Sequence, residues 1–397
     1  MRDPMFRMAL LLGLLSAVGP FAIDMYLPAL PEVARDLGTD EATAALTLTS
    51  YFIVFGIAQM IYGPLADAVG RKLPLLIGVV IFLVATVLSA VAPTMGALIA
   101  ARAMQGLGAA TLMVVPRAVI RDMATGPAAA KVMATIMMVI AVSPMLAPLS
   151  GAFIMQWGSW REIFWVLAAV SLVSLALIVF VLPETLRRED RQPVRLGALT
   201  SGALRLLGDR RFMGLTMIGG FGMASFFVFL SSASFVYTSQ YGMSPKQFSL
   251  AFAVNAIGFF TASQFAGWMT QRFGMERVIS MAITMFALLS TLLAVIVLAG
   301  FDALPVVMTG LFCANAFLGL VMPTAMVMSL DPHPDIAGLA SSLGGTIQML
   351  TGGVMIAVTG PFLDNSAATM VPAIALCALL AWLSAALSLP RLRLRAA

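Results

Sequence analysis

Asp24 is the one acid set well inside a long apolar run of this chain, in Phe21-Ala22-Ile23-Asp24-Met25-Tyr26-Leu27-Pro28. An ionised carboxylate in hydrocarbon is costly, so Asp24 must be paired, face water or carry a proton. A carboxyl that takes up and gives up a proton inside a membrane is the chemistry a proton-coupled carrier needs. Arg102 is the candidate partner. If the first apolar run travels outward and the fourth inward, each residue lies about six or seven positions from its outer end, which places both roughly 9–11 Å deep. The alternative is a buried pair that only fixes helix packing, although such pairs are weak stabilisers beside apolar replacements.

Arg102, Gln105, Ala109, Met113 and Pro116 share one helical stripe, polar at one end and smooth below, which fits a cavity wall. Arg117, one turn before Arg121 and Asp122, reads as an anchor reaching the interface. In the second half the polar residues inside apolar runs are neutral: Asn255, Gln264, Asn315, Thr346 and Gln348. Aromatics gather at Phe226, Phe227 and Phe229, and 29 methionines add soft, adaptable side chains. Tyr26, Tyr51, Gln105, Met113, Phe226, Asn255, Asn315 and Gln348 are therefore the expected lining of a substrate cavity. The fifth run holds Pro144, Pro148 and Gly151, two prolines four apart with small neighbours, which is either a bend that gates or a plain kink.

Gly63-Pro64-Leu65-Ala66-Asp67-Ala68-Val69-Gly70-Arg71-Lys72 reads as a short glycine-bracketed turn after the second run. Asp67, Arg71 and Lys72 put three ions where the chain leaves the bilayer, and there they need partners. An ordinary positively charged loop is the plainer reading. Gly267, Gln271 and Gly274 repeat the spacing of Gly63, Asp67 and Gly70, so both halves carry the same turn.

These residues sit in a chain of 397 that is 61% hydrophobic and 10% charged, with mean hydropathy +1.00. Soluble domains carry about a quarter charged residues, so a water-soluble globule is excluded. Twelve apolar runs are each long enough to cross a bilayer, at roughly 7–30, 43–66, 73–92, 95–119, 131–153, 161–182, 212–238, 247–270, 276–299, 303–328, 338–360 and 367–389. The architecture predicted is all-α, with six-helix bundles at 1–182 and 212–397 and a charged linker over 183–211 that holds a short amphipathic helix near 196–207. A basic start without a small-residue cleavage pattern predicts a retained first helix.

Orientation follows from the 23 basic residues. Eighteen fall on the side of the two termini, three (Arg35, Arg161 and Lys246) on the other, and Arg102 and Arg117 within the fourth run. Both termini are thus expected in the cytoplasm. The basic residues are spread over short loops and form no nucleic-acid patch. Cys313 and Cys377 lie in apolar runs, so neither a disulfide framework nor a metal site is expected. His333, in Asp331-Pro332-His333-Pro334-Asp335, reads as a solvated loop residue. Two six-helix halves with an echoed turn predict a transporter built from repeats, its substrate site between the halves near mid-membrane.

The chain resembles the major facilitator superfamily along essentially its whole length, and within it the drug:proton antiporters of the bicyclomycin and chloramphenicol resistance type. Residues 63–72 match the family's loop between helices two and three, with Asp67 and Arg71 at its charged positions. The resemblance makes Asp122 the acid that completes the charge relay, and Arg102, Gln105, Gly106 and Gly108 the helix-four motif whose arginine takes part in proton coupling. Residues 24–31 are similar to the first-helix signature of this exporter branch. Ala147-Pro148 and Gly151 match the antiporter motif only in part, and Gln271 and Met275 replace the acid and arginine of the echoed turn, implying a weaker second latch.

What this implies is a monomeric multi-pass protein of the bacterial inner membrane, without cofactors, that uses the proton gradient to export lipophilic or weakly polar drugs. Export of a specific small metabolite, such as an amino-acid derivative, is the alternative. A membrane-embedded enzyme would require His, Cys or paired acids inside the runs, and the sequence has no such constellation.

Overall fold

The computed structural model describes residues 4–123, 126–191, 193 and 196–389. Arg2, Arg195, Arg391, Arg393 and Arg395, counted toward orientation, lie outside the described residues, as does the side chain of Lys131. The described residues are almost wholly helical and include no strand. They fall into two compact units, Met1–Arg195 and Leu196–Ala397.

In the first unit, α1 (Pro4–Asp24) stops at the buried acid. The chain then winds as a short 3-10 turn, Leu27–Ala29, and resumes as α2 (Leu30–Asp36). A single helix over 7–30 was expected, so the break and the extension to Asp36 are corrections. Pro28 and Pro31 lack the amide hydrogens that would carry an α-helical ladder through this stretch. The 3-10 bond from the Ala29 amide to the Tyr26 carbonyl, at 3.0 Å, bridges it.

α3 (Glu41–Val69) begins at Asp40, whose carboxylate accepts from the Thr43 amide at 2.8 Å. It continues through Gly63 and Pro64 to Val69. The predicted turn over 63–72 is therefore mostly helix, and the reversal is confined to Gly70 and Arg71. Gly70 has φ 103, where a side chain would be strained. There follow α4 (Lys72–Ala90), α5 (Met95–Met123), α6 (Gly126–Ile154) and α7 (Trp160–Phe180).

The second unit opens with α8 (Leu196–Gly208), which packs on α9 (Arg210–Ser239) and on α13. α10 (Pro245–Phe273) starts on a capping box of Ser244 and Gln247 and ends at Gly274, φ 82. α11 (Met275–Leu298), α12 (Leu304–Leu330), α13 (Ala337–Thr359) and α14 (Ala367–Ser388) complete it.

The two units share most of one packing scheme, although α9 packs closely on α14 where α1 barely touches α7. α3 packs on α5, α4 on α5 and α7, and α1 on α5 and α6; correspondingly α10 packs on α12, α11 on α12 and α14, and α9 on α12 and α13. A glycine lets helix backbones approach closely at a matching place in each. A Cβ on Gly106 of α5 would meet the carbonyl of Tyr51 on α3, and one on Gly319 of α12 the carbonyl of Phe259 on α10. Among the described residues, eleven helical segments are long and apolar enough to cross a bilayer; the twelfth, α6, shows an apolar stretch over Val142–Ile154 within its 29 residues. Six crossings thus fall in each unit.

Candidate functional site

Arg102 enters from α5 into a fully buried pocket of the first unit. One terminal nitrogen, Nη1, donates to the Ala22 carbonyl at 3.1 Å and to Oε1 of Gln105. Gln105 in turn donates to the Thr86 hydroxyl on α4 at 2.8 Å. The guanidinium lies over the rings of Tyr26 (4.9 Å) and Tyr51 (4.7 Å). The Tyr51 hydroxyl is tied to the Gly19 carbonyl at 3.2 Å, and the Tyr26 hydroxyl accepts from Thr47 at 3.3 Å. Two of the guanidinium nitrogens, Nε and Nη2, are buried without a hydrogen-bond partner. The pocket therefore holds a cation chiefly by π-faces and carbonyl dipoles.

Asp24 is 6% exposed and sits at the end of α1, two residues past the carbonyl that Arg102 grips. No ion pair or hydrogen bond of its carboxylate falls among the described residues. Sequence reasoning brings Asp24 and Arg102 to one level, and the structure brings them to one helix end without pairing them. Gly151 of α6 lies against the Met25 carbonyl, so the proline-bearing helix leans on the same break. Pro144 and Pro148 are inside a helix that stays continuous to Ile154.

The Arg71 cluster forms where α3 meets α4. Arg71, 3% exposed, donates from Nε and Nη2 to the two oxygens of Asp122 at 2.7 and 3.1 Å, and from Nη1 to Asp67 at 2.5 Å. Burial works against the charged guanidinium, but the hydrogen bonds to Asp122 and Asp67 outweigh it and hold the group above its ordinary range. Thr185 donates to Asp122 at 3.1 Å. Lys72 turns away and donates to the Val179 carbonyl at 2.8 Å. Gly63 lies in the last turns of α3, away from the reversal.

Glu184 is the member of this cluster that sequence reasoning missed. It accepts from the backbone amides of Arg71 (2.9 Å) and Lys72 (3.2 Å), the free donors at the start of α4. Burial raises its carboxyl, but bonds from the Arg71, Leu186 and Lys72 amides and the charge of Arg191 more than offset this and leave it below the usual range. The only available signal was an acid just past Pro183 at the end of an apolar run.

In the second unit, Phe226 stacks on Phe259 (centroids 6.0 Å apart) and Phe229 on Phe252 (5.8 Å). Asn255 and Asn315 are buried, and Asn255 Oδ1 has no hydrogen-bond partner. Gln348 lies against Gly219, and Met113 of the first unit is half-buried. At the echoed turn the ion pair is Arg211 with Glu276 at 3.6 Å, between partly exposed side chains. His333, expected in solvent, is 5% exposed and bonded through Nε2 to Asp209 at 2.9 Å, a correction. Asp209 also accepts from the Arg211 and Phe212 amides at the start of α9, so the pair ties the α12–α13 connection to a helix cap.

The description of the Major Facilitator Superfamily matches residues 12–357. The chain is 30% identical to the bicyclomycin resistance protein homolog of Haemophilus influenzae over 382 residues, covering 96% of this chain and 95% of that one. It is 30% identical to the chloramphenicol resistance protein of Pseudomonas aeruginosa over 362 residues, 88% of this chain and 82% of the other. Among solved structures, a D-xylose-proton symporter superposes with a TM-score of 0.73 at 18% identity, covering 96% of this chain and 98% of that one. That last likeness is one of fold.

Proposed function

The chain belongs to the Major Facilitator Superfamily, and from that premise we propose that it is a proton-coupled exporter of lipophilic or weakly polar drugs working by alternating access. Protonation of Asp24 and binding of drug are competing events in this reading. Each lowers the affinity for the other by the same factor, so proton entry drives drug exit. In this reading the chain spans the bacterial inner membrane with the termini and the Arg71 cluster facing the cytoplasm, an orientation supported by the split of eighteen basic residues to three between the two sets of loops. The Arg71–Asp122 pair then acts as the latch that closes the inner face.

The observation that carries the proposal is the carboxyl of Asp24, buried and without an ion pair among the described residues. A purely structural buried acid would be matched to its cation, whereas Arg102 is committed to a carbonyl, an amide and two aromatic rings. Asp24 can change protonation without breaking a bridge. The names of two relatives, a bicyclomycin resistance protein homolog and a chloramphenicol resistance protein, support a drug as substrate. The phenylalanine cluster with buried amides suits a lipophilic ligand with few polar groups.

The test is reconstitution of the full chain in vesicles with an imposed pH gradient. Wild type is expected to move drug against its concentration gradient, and Asp24→Asn to lose uphill movement while retaining exchange. Uphill export at the wild-type rate by Asp24→Asn would remove the coupling assignment.

A further inference from the structure

An open cavity of about 550 Å³ lies beside the start of α4, and four cations line it: Lys72, Arg187, Arg188 and Arg191. The one acid in its lining, Glu184, is already engaged by the Arg71, Lys72 and Leu186 amides. The cations have little local compensation. Arg191 stands 4.0 Å from Glu184 and its Nε is buried without a hydrogen-bond partner. Among the described residues, the one ion pair of Arg187 is with the exposed Glu189, at 3.6 Å, and Arg188 has none. Four positive groups line the cavity with one spent carboxylate among them, and the Arg187–Glu189 contact is exposed on both sides, which leaves a site for an anion with several acceptor oxygens.

Leu73 and Leu76 continue the lining onto α4. From there an exposed aliphatic stripe climbs one face of the helix: Leu73, Ile77, Val80, Val84 and Leu88, each between 44% and 50% exposed. Their spacing of three or four residues keeps them in line. At about 1.5 Å per residue, Leu73 to Val84 covers roughly 16 Å, about the depth of one leaflet's hydrocarbon. A soluble phosphate would use the cations and leave the stripe irrelevant. A phospholipid uses both.

We propose that this cavity binds the phosphate headgroup of an anionic phospholipid, with an acyl chain along the Leu73–Leu88 face of α4. The leaflet concerned is the cytoplasmic one, which rests on the orientation proposed above. The site shares Lys72 and Glu184 with the Arg71 cluster, so the lipid sits against the latch without occupying it.

The experiment is native mass spectrometry of the detergent-purified full chain titrated separately with phosphatidylglycerol, phosphatidylcholine and soluble glycerol phosphate. Wild type is expected to retain one phosphatidylglycerol under conditions that strip phosphatidylcholine. R187Q/R188Q, which leaves Arg71, Lys72 and Glu184 in place, is expected to bind it about 10- to 30-fold more weakly, the loss that two cations near an anionic headgroup imply. R187K/R188K should retain it. R272Q/R277Q, an equal charge loss in the second unit, should bind as wild type. Equal retention of both lipids, unchanged binding by R187Q/R188Q, or displacement of the lipid by an equimolar amount of glycerol phosphate would overturn the assignment. The titration uses no drug and no pH gradient, so its failure is separate from a failure of proton coupling.

Discussion

Arg102 donates to the carbonyl oxygen of Ala22 at 3.1 Å, inside the last turn of α1. That carbonyl is one of the acceptors a helix end leaves free, and a cation there also meets the negative end of the helix dipole. Arg102 is thus a cap for the broken helix that ends in Asp24. The acid and the arginine are connected through the helix terminus between them, and a change of charge at one bears on the position of the other.

A lysine at 102 would keep the charge and lose the arrangement. Its ammonium is compact and cannot lie flat over Tyr26 and Tyr51 while donating to both Ala22 and Gln105. Arg102→Lys is expected to lower uphill transport at least about tenfold. Arg102→Met removes a buried cation with two unmatched nitrogens, so its stability should stay within about 2 kcal/mol of wild type even though transport is lost. Vesicle transport and melting midpoints in detergent measure the two effects separately; a large stability loss in Arg102→Met would mean that the pocket is chiefly structural.

The two acids of the Arg71 cluster should be unequal. The Asp122 side chain is 13% exposed and takes two guanidinium nitrogens, whereas the Asp67 side chain is 45% exposed and takes one. Asp122→Asn is expected to cost about 2–3 kcal/mol and Asp67→Asn less than about 1 kcal/mol. Urea or thermal unfolding of the two variants gives the order, and a larger effect at Asp67 would reverse the assignment of the main contact.

The spans were legible because hydrocarbon admits long apolar runs and little else, and Asp24 and Arg102 stood out by the same rule. The break after Asp24 was written in Pro28 and Pro31, but apolar composition runs straight through it. Glu184 was missed and His333 misread for another reason. Each looks like a loop residue locally, and its partner lies 113 or 124 positions away. Only the packing of α4 against α7, and of α9 beside the α12–α13 connection, makes a helix cap of one and a buried hydrogen-bond partner of Asp209 of the other. The turn over 63–72 was recognised by its charges and mistaken in its shape, since Gly63-Pro64 suggests a stop that a membrane helix does not require.

Glu184 should make stability depend on pH. Its folded-state carboxyl titrates below the ordinary value of 4.5, so its contribution is fully present above that value and is lost as pH falls through the depressed folded-state value. Glu184→Gln removes the anion from the start of α4 and is expected to cost about 0.5–1.5 kcal/mol at pH 7. The gap between wild type and variant should close as the acid protonates. Melting curves from pH 7 down to pH 3 test this, and a gap that widens on acidification would contradict the cap.

Gly106 offers the sharpest test of how helix contact serves the Arg102 pocket. An added Cβ would press on the Tyr51 carbonyl, and backbone cannot swing aside as a side chain can. α3 would have to move off α5, carrying the Tyr51 ring from its place 4.7 Å from the guanidinium and its hydroxyl from Gly19. Gly106→Ala is therefore expected to cost about 1–3 kcal/mol and to reduce coupled transport beyond what the lost stability explains. Gly319→Ala makes the same collision with Phe259 in the second unit, where no buried arginine among the described residues depends on it, so its transport loss should follow stability alone. Gly96→Ala, whose Cβ would meet nothing within 4 Å, should leave both unchanged or slightly improved. Melting midpoints and pH-driven transport for the three variants decide the matter; equal transport loss per kcal/mol at 106 and 319 would show that the glycine contact serves packing only.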